Sequence, residues 1–580
     1  MLDFSRLRCV GAALRDATVT YKSRLALIEA DRHRENGRWT FAEFRSDAER
    51  FAAVLAAAGV GPGDRVAILM QNQARWLISA TGALWAGCVL VPLDYKLTPV
   101  EQLALIAHSE PRVLVIEHHA WAKLVDEARK SRHGELERTL VLVTDTPLTP
   151  DGRTPPLAPA RPWRLPATAE GFAYHEPARE DVACIVYSSG TGGDPKGCVL
   201  THGNYLSQAE VLGNMFPMDD GDRFFSVLPT NHAIDFMCGF LLPIMMGGAI
   251  VHQRTLRSEF LAATMQRYGV THIALVPRLL KALQDKLQER LDELPAARRL
   301  LVDGLLSVNE MATRARPNHA LSSKLLAPIH DGFGGKLRLI FTGGAFVPRD
   351  CAEFFYRLGF AVAIGYGLTE AGTVLTVNDL KPFRADSVGA PIPGVELELR
   401  DVNEAGVGEV WVRGPTVMQG YLDDPEQTAA AIVDGWLRTG DLGTLDAAGH
   451  LKLVGRAKNM IVTAGGKNVY PEDIESSFED LPGVEESCVF AANYVWPTQS
   501  LVDEQLVLVL RLAEGAYELS YKLLAELRRR NTRLADYKRV TSYVLWHEEF
   551  PRTASLKIKR PALALELRQE LAREGALRPL

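Results

Sequence analysis

Along the chain, short and wholly apolar runs alternate with longer stretches whose apolar residues recur at helical spacing. DRVAIL (Asp64 to Leu69) reads as a buried strand, and Ala74 to Trp85 behind it as a helix. VLVPL (Val89 to Leu93) is the next strand. TPVEQLALIAHS follows it, with Thr98 at an N-cap position and Glu101 at the capping-box position. PRVLVIE and RTLVLVTD read as further buried strands. Strand, helix, strand at this spacing predicts α/β units with a parallel sheet. Thr146 to Pro177 is rich in proline and polar residues and predicts a surface loop, while Leu279 to Leu326 predicts a charged helix pair laid on the core. The longest apolar run, FMCGFLLPIMMGGAIV (Phe236 to Val251), is broken by Pro243 and by Gly247-Gly248. A bilayer span takes about 20 residues, so this run predicts a buried helix followed by a strand.

From Gly408 the texture changes to GEVWVRG and GHLKLVG, short strands with tight turns. After Arg456 comes a compact α+β stretch of about a domain's size. It carries strands near Met460 and Val489, a helix from Pro471 to Leu481 and a charged helix from Tyr521 to Arg533. The tail RPALALELRQELAREGAL predicts a terminal amphipathic helix. The boundary falls near Lys458, giving an N-terminal domain 1–456 and a C-terminal domain 457–580.

A chain of 580 residues is too long for one core. Hydrophobic residues at 47% and charged residues at 23% are ordinary for a globular protein. A net charge of -6 points to neither nucleic acid nor an anionic membrane surface. Cys9, Cys88, Cys184, Cys198, Cys238, Cys351 and Cys488 lie far apart with no CxxC spacing. That set argues against a disulfide framework or zinc site and for a reducing compartment. The N-terminal MLDFSRLRCVGAALRDATVT mixes charges into its apolar stretches, so no signal peptide is read. A cytoplasmic protein without a transmembrane segment is expected, one that touches membranes only to collect an apolar substrate.

YSSGTGGDPKGCVLTHGN (Tyr187 to Asn204) is the stretch with the most chemistry. Backbone N–H groups in a glycine-rich turn make an anion nest, and a following helix N-terminus would add its dipole. Ser188, Ser189 and Thr191 bring hydroxyls and Lys196 a charge, so phosphate is the natural guest. The loop is not a Walker A loop, because Lys196 follows Pro195 and precedes Gly197. TGGAFVP (Thr342 to Pro348) and GYGLTEAG (Gly365 to Gly372) each follow an apolar run and could set backbone against a flat ring and a phosphate. GWLRTGDLG offers a carboxylate in a tight turn, GRAKNMIVTAGGKNVYPEDIE lies at the boundary, and FPRTASLKIKRPAL puts a lysine in a hydroxyl-rich loop.

With these motifs in this order, the chain resembles the adenylate-forming superfamily of acyl-CoA synthetases, luciferases and adenylation domains. The likeness runs from RWTFAEF at Arg38 to LKIKR at Arg560 and is nearest to bacterial fatty-acid–CoA ligases. It implies an α/β fold: a large N-terminal domain of parallel and mixed sheets with helices and a small β-barrel-like subdomain, then a small, mobile α+β domain. It implies two half-reactions, in which a carboxylate attacks the α-phosphate of ATP and a thiol then displaces AMP. By the resemblance, Ser188, Ser189, Gly190, Thr191, Gly193 and Lys196 cradle the leaving phosphates, with Gly192 where the family usually has threonine. Thr369 reaches the α-phosphate, and Glu370 and Thr191 hold Mg²⁺. Tyr366 stacks on adenine against Gly344 and Ala345, and Asp441 takes the ribose hydroxyls beside Arg456. His232 gates the acyl carboxylate, and the apolar stretch after it lines the acyl tunnel with the Gly343 region. Lys557 bridges carboxylate and α-phosphate, Lys458 is the hinge, and Gly465 and Gly466 line the thiol tunnel. One residue is extra between Arg456 and Pro471 relative to shorter members, and Val462 stands where some members carry lysine.

The expected activity is therefore an AMP-forming acid–thiol ligase using ATP, Mg²⁺ and coenzyme A on an apolar acid, fatty or bulky. The alternatives are an acyl-AMP ligase that loads an acyl carrier protein and a non-catalytic nucleotide-binding protein. Homodimers are frequent in the family. An α/β-hydrolase is excluded, since no G-x-S-x-G elbow exists.

Overall fold

The computed structural model describes residues 2–131, 135–145, 160–188, 196–255, 257–314, 317–462, 468–479, 481–497, 505–513, 515–552 and 558–580. The chain divides into two compact units, Met1–Glu396 with Arg413–Leu437, and Leu397–Val412 with Arg438–Leu580. Lys458 lies inside the second.

The first unit is built on two large sheets. In one, strands Arg65–Leu69, Val89–Pro92, Val113–Glu117 and Leu140–Thr144 are parallel neighbours, as the apolar runs predict. Both faces of these strands are covered, which is why they read as unbroken apolar runs. The helix Pro99–Ser109 starts with the full capping box, Thr98 and Glu101 each bonding the other's backbone N–H. The antiparallel hairpin Val182–Ser188 and Lys196–Thr201 joins the same sheet with its first strand parallel to Val89–Pro92. The second sheet runs, in spatial order, through Ala390–Pro391, Thr376–Val377, Ala361–Tyr366, Leu339–Gly343, His272–Leu275, Arg223–Ser226, Ala249–Gln253, Leu25–Asp31 and Arg34–Thr40. Its inner strands are parallel and its edges antiparallel. The helix Ala74–Trp85 is buried along nearly its whole length because it touches strands of both sheets.

Three sequence expectations change. The glycine-rich loop is followed not by a helix but by the strand Lys196–Thr201, and the helix His202–Met215 begins only after it. The segment after residue 159 is packed rather than loose. Trp163 stacks on Phe51 at 6.1 Å and donates to Ser79 Oγ at 3.0 Å. The charged stretch from Leu279 forms three helices, Pro277–Asp292, Ala296–Thr313 and His319–Leu325. The long apolar run becomes a buried π-helical turn, Asp235–Leu241, a helix, Leu242–Met246, and the strand Ala249–Gln253. Among the described residues no helix is long and apolar enough to cross a membrane. All seven cysteines are buried thiols.

In the second unit, short strands Gly408–Arg413, Trp436–Leu445 and Leu451–Arg456 belong to a small sheet. A four-stranded sheet follows, ordered Val484–Ala491, Leu506–Leu512, Ser542–Trp546 and Arg578–Pro579. Leu508 and Leu510 enter one core with Ile474 and Leu527, while Val507 and Val509 enter the other with Leu563 and Leu567. The strand is apolar from Leu506 to Leu510 because helices cover both faces.

Burial holds His202, His252 and His272 of the first unit neutral. It pushes His202 down to about 4 and His252 and His272 down to about 3. Their folded pKa lies below the ordinary value of about 6.5, so their contribution to stability is complete above that pH and is lost as pH falls. Each then costs up to about 1.4 kcal/mol per pH unit. His252 has no hydrogen-bond partner on either ring nitrogen among the described residues. His252→Leu should therefore leave stability near pH 7.5 little changed and raise it relative to the parent at pH 5. Denaturant titrations at the two pH values measure this; an equal shift at both would show that His252 is not buried neutral.

Candidate functional site

In open α/β sheets ligands sit at the carboxyl ends of the strands, and the motifs of the first unit gather there. Ser188 closes one strand and pairs in register with Lys196, which opens the next. The connecting Ser189, Gly190, Thr191 and Gly193 lie outside the described residues. Ser188 Oγ is buried and has no oxygen or nitrogen partner among the described residues. Buried hydroxyls are ordinarily paired, so Ser188 suits a ligand oxygen.

Lys196 Nζ stands 4.9 Å from the centre of the Tyr421 ring. The Tyr421 hydroxyl in turn donates to Glu370 Oε1 at 3.3 Å. Tyr421 is held there by a two-residue strand, Gly420–Tyr421, paired antiparallel with Val199 and Cys198. Glu370 sits on a 3-10 turn, Thr369–Ala371, whose carbonyl accepts from Met418 N–H at 2.9 Å. A cation, a phenol and a carboxylate thus meet at the mouth of the glycine-rich hairpin. Burial, and next the Glu370 charge, drives the Cys198 thiol far above its usual range, so it is inert. Tyr421 was not singled out by sequence reasoning. The signal was a lone aromatic in MQGYLDD, too common to select.

TGGA and GYG are neighbours because their strands are. Leu339–Gly343 and Ala361–Tyr366 run parallel with Gly343 opposite Gly365. A Cβ added at Gly343 would collide with the Gly365 carbonyl oxygen. Gly344 follows at φ +80°, a conformation that favours glycine. Gly344 and Ala345 are exposed, whereas Tyr366 is only 7% exposed.

His232 comes from the other side. Its Nε2 lies 3.5 Å from Asp94 Oδ2, just past the Val89–Pro92 strand. The hydroxyl of Thr373 donates to the Ala233 carbonyl at 3.1 Å, tying the histidine loop to the loop of Thr369 and Glu370. Behind it lies a carboxylate invisible to sequence reasoning. Asp235 is fully buried and accepts from Ser226 Oγ at 2.7 Å and Thr230 Oγ1 at 3.0 Å. Asn72 joins them, bonding Ser226 Oγ and the Thr230 N–H. Burial pushes Asp235 up to about 7.

In the second unit Asp441 and Arg456 pair across neighbouring strands, Nε to Oδ1 at 2.7 Å. Lys458 lies on the 3-10 turn Ala457–Asn459; burial, and then the Arg456 and Arg560 charges, depress it to about 8. Asn459 donates to Glu472 Oε1 at 2.6 Å, and Arg560 pairs with Glu475 at 2.6 Å. Gly465, Gly466 and Lys557 lie outside the described residues, while Val462 ends the short strand Ile461–Val462.

The profile of the AMP-binding enzyme family matches residues 14–422. A 3-[(3aS,4S,7aS)-7a-methyl-1,5-dioxo-octahydro-1H-inden-4-yl]propanoyl:CoA ligase of Mycobacterium tuberculosis is 30% identical over 96% of this chain and 98% of its own. A chloroplastic long-chain-fatty-acid–[acyl-carrier-protein] ligase of Arabidopsis thaliana is 27% identical over 82% of this chain and 74% of its own. Among solved structures, an O-succinylbenzoate coenzyme A synthetase of Bacillus subtilis in complex with ATP and magnesium ion is similar. It is 25% identical, covers 95% of this chain and 98% of that one, and has a TM-score of 0.73.

The loop that carries Thr369 and Glu370 has little slack. A Cβ at Gly367 would collide with the Thr373 carbonyl oxygen. Gly367→Ala should cost about 1–3 kcal/mol of overpacking and lower Tm. Gly61→Ala is the control, since nothing lies within 4 Å of a Cβ there. Equal melting of the two variants would show that the loop adapts freely.

Proposed function

The chain belongs to the AMP-binding enzyme family, and from that premise we propose that it activates an apolar carboxylic acid with ATP and passes the acyl group to coenzyme A. The observation that carries this reading is the convergence of Ser188, Lys196 and Glu370, through Tyr421, beside the adjoining Gly343–Gly344 and Gly365–Tyr366 segments. In the first half-reaction a carboxylate oxygen bonds to the α-phosphorus, the bond to the β-phosphate oxygen breaks, and pyrophosphate leaves. In the second, the thiol sulfur bonds to the acyl carbon, its proton is released, and AMP leaves.

Negative charge accumulates in the first step, so fixed donors and cations aimed at it lower the barrier. Lys196 supplies a charge for the leaving phosphates and Ser188 a hydroxyl. Ser189, Gly190, Thr191 and Gly193 complete the loop in this reading. Thr369 bonds the α-phosphate. Glu370, with Thr191, would hold Mg²⁺, a hard ion that takes carboxylate and phosphate oxygens and offsets the triphosphate's charge. Adenine lies between Tyr366 and the Gly344–Ala345 backbone. Asp441 accepts from the ribose hydroxyls, with Arg456 fixing its orientation. His232, braced by Asp94, borders the acyl carboxylate. Lys557 sits between carboxylate and α-phosphate in the first step, on a mobile domain 457–580 that turns about Lys458. Gly465 and Gly466 then face the thiol. The likeness to the Arabidopsis protein supports a carrier-protein thiol as the second candidate acceptor.

Two outcomes test this reading. Asp441→Ala should weaken ATP about tenfold to a hundredfold, the loss of hydrogen bonds to a charged group, ~1.5–3 kcal/mol. Unchanged ATP dependence would remove Asp441 from the nucleotide. Lys557→Ala should slow acyl-AMP formation by orders of magnitude, yet convert supplied acyl-AMP and thiol to thioester near the parental rate. Single-turnover assays of each half-reaction, run with coenzyme A and with holo carrier protein, measure both. Parallel loss in the two steps would end the two-orientation mechanism.

A further inference from the structure

The nine-stranded sheet has two unlike faces near the site. On one, Ile273, Ile340, Val362 and Ile364 are locked into a core cluster. On the other, Ala274, Phe341 and Ala363 stand side by side in register, and Gly343 and Gly365 follow two residues further on. Phe341 is thus the one bulky side chain among small ones. It also keeps partial solvent exposure, while Ile340 before it is 1% exposed. A core ring that remains exposed borders open space. Ile234, two residues past His232, reaches to within 3.5 Å of where a Cβ of Gly344 would stand. The space below His232 therefore has a glycine and alanine floor, Ile234 beside it, and Phe341 across its far end.

Behind that end, described side chains pack against the ring. Phe216 meets Phe341 edge-on at 5.0 Å, Phe224 stacks on it at 6.2 Å and His272 at 6.5 Å. His272 Nδ1 then bonds Thr271 Oγ1 at 2.7 Å, and beside it Arg338 pairs with buried Asp222 at 2.6 Å. An apolar tail pushed past Phe341 would break these ring contacts and arrive at the ion pair of Arg338 with buried Asp222. Phe341 to Gly344 spans roughly 10 Å at ~3.3 Å per residue, about the room one ring and its carboxylate need.

We propose that Phe341 is the end wall of the acyl pocket, and that the acid taken here is a compact, ring-bearing one rather than a long linear chain. This rests on the acid-activating reading of the site.

The test compares the parent with Phe341→Ala and Phe341→Leu on benzoate, 3-phenylpropanoate, octanoate and dodecanoate. One readout is ATP-dependent pyrophosphate release. The other is equilibrium binding of the matching acyl-sulfamate mimics of acyl-AMP, which needs no turnover. The parent should favour the two ring acids and discriminate against dodecanoate. Phe341→Ala should gain about fourfold per newly buried methylene, ~0.8 kcal/mol each, with Phe341→Leu between. Should the alanine variant not fold, the leucine variant carries the comparison. A parent that binds the dodecanoyl mimic as tightly as the benzoyl one overturns the proposal, as does a length preference that neither variant moves. If no acid releases pyrophosphate while the mimics still show the Phe341-dependent limit, the acid-activating reading fails and the end wall stands.

Discussion

The site hangs on the close approach of two backbones at Gly343 and Gly365. Their strands run parallel and in register, and any side chain at Gly343 would collide with the facing carbonyl. Because the approach is this close, the two loops that leave the strands emerge at one height. One begins with Gly344 and Ala345, and the other leads through Tyr366 to Thr369 and Glu370. The same constraint flattens the sheet surface beneath them, and a flat backbone surface is what a planar base or ring can lie against. The proposed acyl pocket is the continuation of that surface down the strands, ended by the first large side chain it meets.

Around this floor, charge is handled in two ways. At the open end, Lys196, Tyr421 and Glu370 form a chain in which the phenol ring faces the ammonium and its hydroxyl reaches the carboxylate. A cation over an aromatic face keeps part of its stabilisation without an anion, so Lys196 remains suited to an incoming phosphate. Behind His232, Asp235 is buried among Ser226, Thr230 and Asn72. Burying a carboxylate is costly unless it is hydrogen-bonded, and the two hydroxyls offset only part of that cost, hence the rise to about 7. What the network secures is position: it joins the strand end, the loop before His232 and the π-helical turn after it into one hydrogen-bonded piece.

In the second unit the order of the motifs along the chain hides how near they are. Asn459 bonds Glu472, while Arg560 pairs with Glu475 and lies 3.6 Å from Glu472. The turn at Lys458 and the start of the helix Arg560–Glu570 are therefore linked through one short helix, Pro471–Ser476. Buried Arg560 also stacks near Phe490 and donates to the Val489 carbonyl. A rearrangement at one end of this link must be accommodated at the other, because a buried guanidinium cannot be left unpaired cheaply.

The sequence by itself determined the parallel α/β layers, the capped helix at Thr98, the motifs and their family. These are local matters: apolar periodicity, cap chemistry and the spacing of glycines, hydroxyls and charges are all written within a few residues. It did not determine which element comes after the glycine-rich loop, because a six-residue polar-apolar stretch such as Lys196–Thr201 becomes a strand only by pairing with Val182–Ser188. Tyr421 was equally illegible, since its meaning comes from an edge pairing with Cys198, more than two hundred residues earlier in the chain. Asp235 and Phe341 carry no mark in the residues beside them. Their roles depend on which side chains arrive from other strands: hydroxyls around Asp235, alanines and glycines around Phe341. Such neighbours are brought together by long-range packing, and no window along the chain contains them.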